Sequence, residues 1–259
     1  MMNFSSCIEM MFCEVEFMDR FEAAAKAGLK AVEYWGWMER DKSEIQDKLQ
    51  QYGLKVSSVS CGGSGKDYQL LNEKGISFGG DTRAQFVGVL EKTIEYARAM
   101  DIHRLLVGVG NDHADISREK QHANIVETLM ACAPVLKGND IKLVIEPLNV
   151  LVDHMGYFLV TSEEGAQIVD EVNNPQVKML FDIYHQQISE GNLINNITRY
   201  IDRIAHFHVA DNPGRHEPGT GEIYYPRIFE AIEKLGYEGY IGLEYMPTKN
   251  SADTLWFIK

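Results

Sequence analysis

Eight short apolar, β-rich runs recur along the chain, and a longer stretch of helical period follows each of them. No other feature narrows the possible folds as much. The runs are FSSCIEM (4–10), KAVEYW (30–35), KVSSVSC (55–61), RLLVGVG (104–110), KLVIEPL (142–148), KMLFDIY (178–184), HFHVAD (206–211) and YIGLEY (240–245). Between them apolar residues return every three to four positions: Phe17, Phe21 and Ala25; Phe86, Leu90, Ile94 and Ala97; Ile125, Leu129, Cys132 and Leu136; Ile228, Ile232 and Leu235. Gly28, Gly53, Gly138 and Gly236 stand just past such stretches, where a left-handed cap favours glycine. Thr161 followed by Glu164 reads as a capping box. Strand–helix alternation builds right-handed βαβ units and a parallel sheet. Eight units, in a chain of 259 residues, predict closure into one (β/α)8 TIM barrel spanning 1–259, since that fold needs roughly 250 residues.

The totals exclude several classes of function. Against 38 Asp plus Glu stand 25 Lys plus Arg, a formal net charge of -13, which repels nucleic-acid backbones and anionic membranes. Four scattered cysteines, Cys7, Cys13, Cys61 and Cys132, form no CxxC pair and read as reduced thiols. Glu9, Glu14, Glu16 and Asp19 break up any leader-like apolar run, and no segment is long enough to span a bilayer. A cytoplasmic enzyme with a small-molecule substrate is the expectation, with association into a homo-oligomer left open. The longest connection joins the third and fourth runs and contains GGSGKDYQ and GISFGGD. It reads as a phosphate cradle or as a flap over the barrel mouth, although neither stretch matches a nucleotide-binding fingerprint.

Glu146, Asp182, His208 and Glu244 fall near the carboxyl ends of the last four runs, each about one βα unit from the next. In a barrel those ends converge on the face where active sites are built. Three carboxylates facing one another repel strongly unless a cation neutralises them. Carboxylates with one imidazole and no cysteine suit one hard divalent ion, Mn2+ or Mg2+, with Co2+ tolerable. His185 reads as a contact either to substrate or to the residues behind the ion, Arg215 as the positive group near the mouth, and His206 as structural. The roles of His216 and Glu217 stay open. No Ser–His–Asp or Cys–His arrangement and no dinucleotide fingerprint is present, so acyl and hydride transfer lack support. Metal-assisted proton transfer beside a carbonyl, with a carboxylate on each side of the substrate, remains. Glu146 and Glu244 are the natural pair, because Asp182 is shorter.

MMFCEVEFMDRF, IEPLN, GYFLVTS, FDIYHQQISEGNL, NPGRHEPGTGEIYYP and LGYEGYIGLEYMP together resemble the hydroxypyruvate isomerase branch of the xylose isomerase-like TIM-barrel superfamily, over about residues 4–247. The resemblance implies a metal-dependent isomerase of small hydroxy-carbonyl compounds. In it Glu146 and Glu244 are ligands as well as acid–base catalysts, Asp182 and His208 complete the ligand set, and His185 and Arg215 contact substrate. The branch commonly has glutamine at the place of His208, whereas histidine there is usual among ketose 3-epimerases. A 3-epimerase acting on a longer sugar is therefore the alternative, and an abasic-site endonuclease a more distant one. YWGWMERD also departs from the branch: Trp35 and Trp37 are either pocket walls or packing residues. Phe12 either covers the substrate or packs against a helix.

Overall fold

The computed structural model describes residues 2–63 and 66–258. Its eight strands close into a parallel barrel in sequence order: β1 (Asn3–Cys7), β2 (Ala31–Tyr34), β3 (Lys55–Ser60), β4 (Arg104–Val107), β5 (Lys142–Ile145), β6 (Val177–Asp182), β7 (Ile204–Val209) and β8 (Tyr240–Leu243). All eight fall on the eight runs read from the sequence. Outside them lie α1 (Arg20–Lys26), α2 (Lys42–Tyr52), α3 (Gln69–Lys74), α4 (Asp81–Ala99), α5 (Arg118–Ala131), α6 (Ala133–Leu136), α7 (Ser162–Val172), α8 (Ile183–Ser189), α9 (Leu193–Tyr200) and α10 (Tyr225–Lys234).

The helices bury the faces that their periodicity marks: Phe86, Leu90, Ile94 and Ala97 on α4, and Ile228 and Ile232 on α10. Gly28, Gly53, Gly138 and Gly236 all have positive φ, between 65 and 96°, as left-handed caps require. Thr161 Oγ1 accepts the Glu164 backbone N–H at the start of α7. The reciprocal half of the capping box is absent, because the Glu164 carboxylate is held by Arg118 at 2.7 and 2.8 Å.

Two features of the barrel position the site. Within the lumen, Leu106, Val144, Leu180 and Ala205 make a small apolar plug under β4 to β7. On the opposite side, register slips between β2 and β3: Val32 pairs with Val56, but Tyr34 pairs with Val59. That bulge sets two consecutive residues, Ser57 and Ser58, against the single residue Glu33.

The β3–β4 connection holds the short helix α3, where the sequence showed no apolar period because the element is too brief to display one. Its residues wall the mouth of the cavity described below. Ser64 and Gly65, part of the GGSGKDYQ stretch, lie outside the described residues. Gly75 has φ +70°, and a Cβ there would lie 2.3 Å from Gly110 Cα, so two backbones meet where side chains cannot fit.

Candidate active site

Glu146 directly follows β5, Asp182 ends β6, His208 is the penultimate residue of β7 and Glu244 directly follows β8. Closure of the barrel brings the four together at its carboxyl end, with one ligand-type atom of each within 4.8 Å of all the others. His208 Nδ1 is central, 3.3 Å from Glu146 Oε1, 3.4 Å from Glu244 Oε2 and 3.9 Å from Asp182 Oδ2. Register explains the placing: Asp182 pairs with His208, and His208 with Gly242.

The electrostatics are those of a crowded anionic centre. Burial works against a charge on His208, but Glu244 and Glu33 outweigh it and hold the imidazolium well above its ordinary range. Burial also raises Glu146 above the usual carboxylate range. Burial pushes Glu244 the same way, yet the charges of His208 and Arg215 overcome it and leave that group low. Two otherwise similar glutamates thus sit in opposed environments.

These residues fit a divalent ion. Glu146 Oε1, Asp182 Oδ2 and His208 Nδ1 are all buried and none makes a well-aligned hydrogen bond. Buried polar atoms without partners are costly. Three carboxylate oxygens and one imidazole nitrogen are donors that a hard or borderline dication accepts.

The remaining expected residues separate. Arg215 Nη2 donates to Glu244 Oε2 at 2.5 Å. His185 is fully buried, with Nε2 3.7 Å from Asp182 Oδ2. Both line the same cavity, of about 530 Å3, together with Glu146, Glu244, Trp35 and Tyr157. His206 belongs to the barrel interior, where its Nε2 donates to Glu33 Oε2 at 2.8 Å. Phe12 is buried, and its backbone N–H donates to Ser251 Oγ, so it packs and does not cover the cavity. The two tryptophans divide: Trp35 Nε1 donates to Glu244 Oε1 at 3.1 Å, whereas Trp37 stacks on Tyr96 at 4.6 Å. Glu217 takes both the N–H and the hydroxyl of Thr248, pinning the loop after β8 to the loop after β7. In the same loop the His216 ring bonds the Met246 carbonyl.

Glu33 escaped the sequence reading. It is buried beneath the cluster, with Oε1 3.1 Å from His208 Nε2, while Oε2 accepts from Ser57, Ser58, Ser5 and His206. Gly242 makes room for it, since a Cβ there would lie 2.2 Å from Glu33 Oε1. Burial raises this carboxyl, but His208 and His206 outweigh that and hold it well below its usual range. The available signal was the one used for Glu146, an acidic residue inside an apolar run.

A closed eight-stranded barrel with a carboxylate–imidazole cluster at its carboxyl end defines a class, and the family model for xylose isomerase-like TIM barrels matches residues 21–259. The chain belongs to that family. It is 36% identical to the hydroxypyruvate isomerase of Escherichia coli K12 over 99% of this chain and 98% of the relative. It is 34% identical to the 2-oxo-tetronate isomerase of Cupriavidus necator over 100% and 98%. Both relatives are isomerases, and isomerase is the enzyme class to which this chain belongs. Among solved structures, a Brucella melitensis protein described as an AP endonuclease of family 2 superposes with TM-score 0.92 at 30% identity, covering 100% of this chain and 98% of that one. A D-allulose 3-epimerase from a Methylomonas species, at 19% identity and TM-score 0.79 over 98% and 87%, shares the fold.

Proposed function

We propose that the chain, as one barrel domain spanning 1–259, interconverts a small α-hydroxy aldehyde or ketone and its isomer, of the hydroxypyruvate/tartronate semialdehyde type, by proton transfer through an enediolate. Glu146 and Glu244 act as the acid–base pair, and with Asp182 and His208 they hold one divalent ion, Mn2+ or Mg2+, with Co2+ as a substitute. When bound, that ion supplies Lewis-acid polarisation of the substrate carbonyl. Glu146 and Glu244 approach the reacting carbons from two sides, one removing the proton and the other returning it. Arg215 fixes Glu244 and offers the remaining guanidinium edge to a substrate oxygen. His185 meets a second substrate oxygen.

The observation that carries this reading is the convergence of two glutamates, Glu244 buried and Glu146 partly buried, on His208 Nδ1, at 3.4 and 3.3 Å, inside a cavity wide enough for a substrate. The relatives' names support the substrate class. A second reading, 3-epimerisation of a longer ketose by the same two glutamates, is favoured by the cavity volume of about 530 Å3. That volume is in the range that holds drug-sized ligands, far more than a three-carbon acid fills. Phosphodiester cleavage is the weakest reading. Among the described residues lining the cavity, Arg215 is the sole arginine or lysine, it is already paired with Glu244, and the chain carries a net charge of -13.

The test is incubation in D2O with hydroxypyruvate and with a panel of ketoses, each with Mn2+, Mg2+ or Co2+, followed by NMR. Deuterium entering at the carbon beside the carbonyl, lost after chelation and restored by the ion, is the expected result. Full exchange in chelated protein would remove the ion from the mechanism, and no exchange with any substrate would remove the reaction.

A further inference from the structure

Asn149 lies in the loop after β5, within the IEPLN segment, and is fully buried. Its neighbours orient its amide. Oδ1 accepts the backbone N–H of Val152 at 2.9 Å and of Asp153 at 3.2 Å. Nδ2 therefore faces the other way, donating to Asp153 Oδ2 at 2.8 Å and reaching His185 Nδ1 at 2.7 Å. The backbone N–H of Asn149 is directed at the same ring nitrogen from 3.4 Å. Asp153 is itself held, accepting the Tyr184 hydroxyl at 2.8 Å.

An amide NH2 and a backbone N–H have only hydrogens to offer, so His185 Nδ1 has to accept. In a neutral imidazole the single ring proton then resides on the other nitrogen. That nitrogen, Nε2, is buried and has no hydrogen-bond partner among the described residues, and its ring lines the cavity with Glu146, Arg215 and Glu244.

We infer that Asn149 is a positioning residue that locks His185 in the Nε2–H tautomer, making the ring a hydrogen-bond donor, never an acceptor, toward a substrate oxygen. A donor fixed in this way binds an oxygen more strongly as that oxygen becomes anionic, and it selects a carbonyl or ionised oxygen over a group that has only hydrogens to give. The destination of the Nε2–H rests on the proposed function; the tautomer is a property of the protein alone.

The tautomer is read from long-range 1H–15N correlation spectra of 15N-labelled protein without substrate, with His185 assigned by its disappearance in His185→Gln. The expected pattern is a bare Nδ1 and a protonated Nε2. A protonated Nδ1 in the wild-type protein overturns the inference, and this spectrum decides even if a variant fails to fold. Asn149→Asp keeps acceptors for Val152 and Asp153 but replaces the NH2 by an oxygen. Its expected result is a protonated Nδ1, with kcat reduced on the order of 10–100-fold and KM changed far less. A bare Nδ1 in Asn149→Asp overturns the positioning role. Because the spectra need no turnover and the D2O exchange assay needs no tautomer, failure of either claim is recognised separately.

Discussion

The two halves of the barrel rim do different work. Strands β5 to β8 each carry, at or next to their carboxyl ends, an ionisable side chain of the central cluster, Glu146, Asp182, His208 and Glu244. Strands β1 to β4 contribute no member of that cluster. They supply its support, with Glu33 from β2 beneath His208 and Ser5, Ser57 and Ser58 around Glu33. They also supply its walls, with Trp35 after β2 and the β3–β4 connection along the cavity. Convergent negative charge is stabilised by a positive partner, and the later half gathers residues that fit a cation. The earlier half orients the imidazole of that cluster and shapes the space beside it.

Variants test this division, beginning with the largest effect. Glu146→Gln and Glu244→Gln keep the size of each side chain and replace the acid–base carboxyl by an amide that cannot ionise. Each is expected to lower turnover by about 10²–10⁴-fold under saturating Mn2+, measured in the exchange assay. Unchanged turnover in either would show that the later half does not carry the chemistry. Glu33→Gln removes the anion behind His208 while leaving a side chain of the same shape. If the earlier half supports and does not catalyse, Mn2+ affinity by calorimetry falls about 10–100-fold and saturating metal restores most of the turnover. A loss that metal cannot restore would make Glu33 a member of the catalytic centre and collapse the distinction. The smallest effect belongs to Trp35→Phe, which deletes one donor to Glu244 that is half exposed. A single neutral-to-charged hydrogen bond contributes about 1.5–3 kcal/mol when buried and less near solvent. A several-fold change in kcat/KM with folding intact is therefore expected. A change as large as that of Glu244→Gln would move Trp35 from wall to machinery.

Different parts of this site were legible to different degrees. The four cluster residues stood out because each is a polar residue at the end of an apolar run, and because regular βα spacing brings such ends together in a barrel. Glu33 carries the same mark, yet its role depends on a bulge that turns two adjacent serines toward one carboxylate. Asn149 was visible only as a letter within IEPLN. Its work depends on which way an amide faces, and that is decided by two backbone N–H groups in a loop. Phe12, Trp35 and Trp37 are alike in composition and were ambiguous for that reason. Local backbone direction alone separates the buried Phe12, the cavity-lining Trp35 and the Tyr96-stacked Trp37.

By itself the sequence determined the number of units, their order, the helix ends marked by glycine and the charge that disfavours nucleic acid. Those properties follow from periodicities of two and 3.6 residues and from composition, which are local or additive. Tertiary structure alone decided that Glu33 lies under His206 and His208, far along the chain, that Arg215 and Trp35 grip opposite oxygens of Glu244, and that His185 is held by Asn149. The physical reason is closure. A hydrogen bond requires a donor and an acceptor within about 3 Å at a favourable angle, and only the register and curvature of the finished barrel set such distances between residues remote in sequence.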